Sequence, residues 1–159
     1  MNGIEIERKF LIEYPDASVL SDCKRADIVQ TYLCSPSDEE IRVRARTEGE
    51  STVYFKTVKK KLGGFCREEL ENEISESDYL ELLKCSDPTR RPIEKTRYCL
   101  VYHDQCFEID VYPFWTDKAI MEIELESEEQ GISFPDGIRI IEEVTCDERY
   151  KNSSLARLK

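Results

Sequence analysis

The chain has 159 residues, 40% hydrophobic and 36% charged, with six Gly, six Pro, seven Cys and a formal net charge of −11. These values fit one globular domain, residues 1–159, with a core of its own, and exclude collagen-like, low-complexity and wholly disordered classes. No apolar run approaches the roughly 20 residues of a membrane helix, and Glu5, Glu7, Arg8 and Lys9 stand where a secretory signal has its apolar centre, so a soluble cytoplasmic protein with no membrane partner is expected.

In chain order, residues 4–12, 27–34, 40–47, 52–60, 65–75, 93–103, 105–112, 119–126 and 138–145 alternate apolar and polar with period two, which is a strand pattern. The breaks carry turn chemistry: Ser35-Pro36-Ser37-Asp38, Glu48-Gly49-Glu50, Gly63-Gly64, His103-Asp104-Gln105, Pro113 and Pro135-Asp136-Gly137. Helical signals are few: a weak one over 16–24, one over 77–85 with Ser77 as N-cap, and a closing one over 147–158. Eight or nine short strands joined by tight turns form an antiparallel sheet system, mainly β with a few peripheral helices.

Cys23, Cys34, Cys66, Cys85, Cys99, Cys106 and Cys146 form no C-x-x-C pair and have only His103 to join them, so neither a zinc ribbon nor a disulfide scaffold is expected. Residues 1–61 carry 11 basic and 11 acidic side chains, and the remainder 12 and 23, so the whole excess of acid lies in the second part. This balance argues against nucleic acid as a partner. It leaves room for a concave site that concentrates Arg and Lys locally.

Period two puts Glu5, Glu7 and Lys9 on one face of the first strand and Ile4, Ile6, Arg8 and Phe10 on the other. Arg42, Arg44 and Arg46 share a face in 40–47. Lys56 shares one with Tyr54 and Val58. Arg67, Glu69, Glu71 and Glu73 share one in 65–75, Lys95 and Arg97 in 93–103, Glu108 and Asp110 in 105–112, and Glu122, Glu124 and Glu126 in 119–126. A lone strand with one polar face is usually solvated there. Blocks of one sign on neighbouring strands repel, however, and call for neutralisation: metal ions for the acids, phosphates for the bases. If the strands closed into a barrel with this face inward, carboxylates could hold Mg²⁺ or Mn²⁺ while Arg and Lys gripped phosphate oxygens. Lys59, Lys60 and Lys61 read as a solvated hairpin end, and Tyr112-Pro113-Phe114-Trp115 as barrel-cap packing.

Glu5-Ile6-Glu7-Arg8-Lys9 resembles the ExExK motif of the CYTH superfamily, the triphosphate tunnel metalloenzymes. It is followed in order by Arg42-Val43-Arg44, Lys56, Glu69-Leu70-Glu71, Lys95-Thr96-Arg97, Glu108-Ile109-Asp110 and Glu122-Ile123-Glu124. Glu143-Val144-Thr145 and Arg149-Tyr150-Lys151-Asn152 resemble the C-terminal end of short bacterial members. The resemblance implies a closed eight-stranded antiparallel β-barrel forming a charged tunnel, with Mg²⁺ or Mn²⁺ as cofactor and a small-molecule triphosphate as substrate. It implies metal ligation by Glu5, Glu7, Glu122 and Glu124, and a phosphate grip of Lys9, Arg42, Arg44, Lys56, Lys95 and Arg97. It implies supporting acids Glu71, Glu108 and Asp110, and chemistry carried by Lys9, Tyr32, Glu69 and Arg97. Hydrolysis of inorganic tripolyphosphate is the activity expected of so short a chain. Hydrolysis of ATP, other nucleoside triphosphates or thiamine triphosphate, adenylate cyclisation, or a non-catalytic polyphosphate-binding module are the alternatives. Many relatives look dimeric, so a homodimer is an admissible partner state.

Overall fold

The computed structural model describes residues 2–63 and 66–157, the side chains of Asn2, Gly3 and Glu5 excepted. The turn expected at Gly63-Gly64 thus falls partly outside the described residues, as does the end of the helix expected over 147–158. Nine strands appear: β1 (Asn2–Glu13), β2 (Lys24–Tyr32), β3 (Glu39–Glu48), β4 (Ser51–Gly63), β5 (Cys66–Ile74), β6 (Ile93–Tyr102), β7 (Gln105–Val111), β8 (Lys118–Leu125) and β9 (Ile140–Glu143). All pair antiparallel, in the order β5-β4-β3-β2-β6-β7-β8-β1, and β5 returns to β1 to close an eight-stranded barrel.

The closure depends on the length of β1. Its first half pairs with β5 from Asn2↔Leu70 to Ile6↔Cys66, and its second half pairs with the short β9 along the same edge, while β8 runs along the opposite edge. The β4–β5 ladder shifts register between Lys61 and Gly63, and Gly63 at φ 114° occupies a region that side-chain-bearing residues seldom reach.

The polar faces point into the lumen, so the apolar faces point out and must be covered. On one side, Phe10, Ile12, Phe107, Ile109, Met121 and Ile123 pack beneath Ile132 and Ile138, and Phe134 lies edge-on to Phe10 at 5.1 Å. On another side, Val43 and Leu33 pack against Tyr79 of the helix α2 (Glu76–Leu82). Its N-cap is Ser75, whose side chain accepts from the Asp78 backbone N–H at 3.0 Å, and not the expected Ser77. A short α1 (Ala17–Leu20) stands where the weak signal was read.

A third apolar group closes one end of the barrel: Leu11, Tyr32, Ile93, Tyr112 and Ile120 meet Val144, Leu155 and Ala156, with Trp115 and Tyr150 against them. The aromatic 112–115 segment therefore caps the barrel, as expected. The closing helix is broken into a 3-10 turn, Glu148–Tyr150, and α3 (Asn152–Leu155), because Lys151 between them is extended. That break lets the segment lie across the barrel end, where the Val144 N–H donates to the Lys9 carbonyl at 2.8 Å and Arg91 N–H to Ala156 at 2.8 Å. Among the described residues, no helix is long and apolar enough to cross a membrane.

Candidate active site

The lumen holds a cavity of about 190 Å³. Its described lining carries the bases Lys9, Arg42, Arg44, Lys59, Arg67, Arg97 and Lys151, and the acids Glu7, Glu40, Glu69, Glu71, Glu108, Glu122 and Glu124, with Tyr32 and Asn152. All but Lys151 and Asn152 arrive by strand parity, and the cross-strand register decides which charges meet.

On the β1–β8–β7 wall the register sets Lys9 opposite Glu122, Glu7 opposite Glu124, and Glu122 opposite Glu108. Lys9 Nζ lies 3.3 Å from Glu122 and 3.4 Å from the Tyr150 carbonyl, and Arg97 reaches Glu108 at 3.2 Å. Burial pushes the Glu122 carboxyl up, but Lys9, with Arg97 and Lys95, outweighs burial and the Asp110 charge and holds it down at about 2. Glu122 is thus an anion throughout the neutral range.

The β3–β4–β5 wall is a second network. Arg44 donates to Glu71 at 2.8 Å, Thr57 donates to the same carboxylate at 2.9 Å, and Lys59 lies 3.6 Å from Glu69. Burial pulls the Arg44 guanidinium down to about 10, Arg42 and Arg97 add to that, and Glu71 opposes it. Tyr32 stands between the walls, 1% exposed. Burial, its main cause, raises the phenol well above the usual tyrosine range, so Tyr32 is a neutral hydroxyl.

Most of the expected residues meet in this cavity: Glu7, Lys9, Tyr32, Arg42, Arg44, Glu69, Glu71, Arg97, Glu108, Glu122 and Glu124. The side chain of Glu5 lies outside the described residues. Lys56 does not reach the lumen. It pairs with Val43, whose side chain is buried against α2 on the outer face, so its parity sends it outward. Lys59 takes the β4 position instead, at 9% exposure, which also corrects its reading as part of a solvated hairpin end. Lys95 and Asp110 point inward but do not line the cavity: they form a fully buried pair at 2.8 Å behind Arg97, which binds the same carboxylate through Nε at 2.8 Å and Nη2 at 2.9 Å.

Sequence reasoning missed Lys59, Arg67, Glu40, Lys151 and Asn152. Arg67 is legible as the next inward position before Glu69. Lys151 and Asn152 are brought in by the C-terminal segment, which no strand periodicity could place.

The acids suit a hard divalent cation. Glu7 and Glu124 face each other across the β1–β8 ladder, and Glu108 and Glu122 across β7–β8, so like charges are directly opposed in a lumen of low polarisability. Among the described residues, no three acidic, Cys or His side chains converge closely enough to hold an ion unaided.

A closed β-barrel whose lumen carries bases and carboxylates in facing walls defines a class of protein: a tunnel for a polyanion together with cations. The sequence matches the CYTH domain family over residues 3–157, and the chain belongs to that family. It is 39% identical over 155 residues to an inorganic triphosphatase of Nitrosomonas europaea, covering 96% of each chain. It is 32% identical to an inorganic triphosphatase of Acetivibrio thermocellus, covering 98% of this chain and 94% of that one. The crystal structure of an inorganic triphosphatase superposes with a TM-score of 0.60 at 33% identity, over 98% of this chain and 95% of the other. A Pyrococcus horikoshii protein at 21% identity and a TM-score of 0.58 shares the fold.

Proposed function

We propose that this chain is a metal-dependent triphosphatase that hydrolyses inorganic tripolyphosphate to pyrophosphate and phosphate, with 1–159 acting as one catalytic domain. The observation that carries this reading is that the opposed Glu7/Glu124 pair and a ring of bases, Lys9, Arg42, Arg44, Lys59, Arg67 and Arg97, line one cavity of about 190 Å³. The two relatives named as inorganic triphosphatases, matched nearly end to end, support it. Seven free thiols support a reducing, cytoplasmic setting.

In this mechanism Lys9, Arg42, Arg44, Lys59 and Arg97 hold the nonbridging oxygens of a linear triphosphate and align its terminal phosphorus with a water. Glu7, Glu122 and Glu124 would hold Mg²⁺ or Mn²⁺, which would supply polarisation of the phosphoryl oxygens and offset their charge. Glu69, fixed beside Lys59, accepts the proton of the attacking water. The bond from phosphorus to the bridging oxygen breaks as the new P–O bond forms, and Arg97 and Lys9 stabilise the charge on the departing pyrophosphate. Tyr32, being neutral, serves as a hydrogen-bond donor.

The test is phosphate release from tripolyphosphate, ATP and pyrophosphate in parallel, with Mg²⁺, Mn²⁺ or chelator, and Glu7→Gln as control. Tripolyphosphate should turn over far faster than ATP, only with metal, and not in the variant. Faster release from ATP would move the activity to nucleotides, and metal-dependent binding without turnover would make the chain a binding module.

A further inference from the structure

Gln30 stands two residues before Tyr32 on the lumen face of β2, fully buried between the paired positions Arg44 and Ile93. Its Nε2 donates to the Tyr32 hydroxyl at 3.1 Å, while its Oε1 is buried with no hydrogen-bond partner. An amide half-satisfied in this way is a poor packing group, and an apolar side chain of similar volume would fill the space at lower cost. Its use must lie in the bond it makes.

That bond decides where the phenol proton goes. Arg42 also hydrogen-bonds to Tyr32, and a guanidinium can only donate, so the phenol oxygen accepts from both Arg42 and Gln30. Arg90 lies over the ring 5.1 Å from its centre and holds it in place. With both acceptor positions taken, the one hydrogen of the hydroxyl is left for the cavity that Tyr32 lines.

We propose that Gln30 is a positioning residue, whose amide N–H fixes the Tyr32 hydroxyl so that its proton points into the tunnel as a donor to a phosphoryl oxygen of the substrate. The inference rests on the triphosphatase reading and adds to it the group that orients Tyr32. Glu in place of Gln30 has the same shape and, ionised beside Arg44 on the neighbouring strand, only accepts, so it draws the phenol proton to itself and away from the substrate.

The test compares Gln30→Glu, Gln30→Met, Tyr32→Phe and the double variant Gln30→Glu/Tyr32→Phe for tripolyphosphate hydrolysis with Mg²⁺. It also follows the Tyr32 resonance in protein labelled with carbon-13 at the tyrosine ring, assigned by its loss in Tyr32→Phe. We expect kcat to fall about tenfold or more in Gln30→Glu, the scale of one transition-state hydrogen bond, with KM little changed. Gln30→Met should fall less, Gln30→Glu should match Tyr32→Phe, and the double variant should be no worse than Tyr32→Phe. Tripolyphosphate with Mg²⁺ should shift the Tyr32 resonance in the parent protein and not in Gln30→Glu. Wild-type kcat in Gln30→Glu would mean that the amide is oriented the other way and would overturn the inference, as would losses that multiply in the double variant. If the parent protein binds tripolyphosphate without hydrolysing it, the functional reading fails, and the resonance shift alone decides the role of Gln30.

Discussion

Asp110 shows how single charges are carried inside this barrel. It accepts from Lys95 and twice from Arg97, and although burial pushes its carboxyl up, those two cations hold it well below the usual carboxylate range. Burial, with the nearby positive charge of Arg97, pulls Lys95 down against the opposing pull of Asp110. Asp110→Asn would leave two buried cations without their anion, a loss on the order of 3–5 kcal/mol in urea denaturation. The sign of the pH effect follows: a depressed acid contributes fully above its unfolded value near 4 and loses that contribution as pH falls toward its folded value, so the parent should lose stability in that acid range, and Asp110→Asn should lose less there. A second residue-scale expectation contrasts two lysines of β4. Lys59→Ala should raise the KM for tripolyphosphate about tenfold, as loss of one phosphate contact does, and Lys56→Ala should leave kinetics unchanged. The lumen lysine of this strand was hard to read because the run 56–61 has Lys on both parities. Only the pairing of Thr57 with Arg42, and its bond to Glu71, settles which set faces inward. Arg42, Arg44, Glu108, Asp110, Glu122 and Glu124 were legible because the opposite face of each of their strands is apolar at the neighbouring positions Val43, Ile109 and Ile123.

Elements join these residues through coverings that lie far apart in the chain. The nine strands were legible from period two, and their ends moved by a few residues at most. The cap at the barrel end was not, since Leu11, Ile93, Tyr112 and Ile120 each look like one apolar residue on an otherwise polar face until Val144 and Leu155 complete the group. The start of α2 was half legible: Ser75 and Asp78 have the spacing of a capping box, yet Ser77 competes for the role by sequence alone. The covering helix supplies a clean separation of fold from chemistry. Tyr79 is 8% exposed, packs against Val43 and Leu33 and stacks at 4.7 Å on Tyr54, all outside the lumen. Tyr79→Ala should therefore cost about 3 kcal/mol in denaturant unfolding, as removal of a buried aromatic does, with kcat unchanged below the transition. A fall in kcat of the same size as that of a lumen variant would show that the outer face and the tunnel are coupled.

Taken whole, the molecule turns the usual arrangement inside out, with its densest charge in the lumen and its apolar surface beneath loops and helices. The chain carries −11, yet the described lining of the cavity balances seven bases against seven acids. A lumen close to neutral explains two things together. Part of it is neutralised internally, through Lys9 with Glu122, Arg44 with Glu71, Lys59 with Glu69 and Arg97 with Glu108, so the barrel is expected to fold without metal. And it offers a bare polyanion less attraction than the bases alone would, because four of them, Lys9, Arg44, Lys59 and Arg97, each face an acid. On the proposed reading a triphosphate brings several negative charges, and divalent cations on Glu7, Glu122 and Glu124 would return the sum near zero. Chelator alone should therefore leave the thermal midpoint unchanged. Tripolyphosphate with Mg²⁺, at a hundred times its Kd, should stabilise the fold by about 2.7 kcal/mol, which for a chain of this length raises the midpoint by about 5–11 °C. Tripolyphosphate with chelator should give little of that rise. A full rise without metal would mean that the bases suffice and that the opposed carboxylates serve only as their counter-ions.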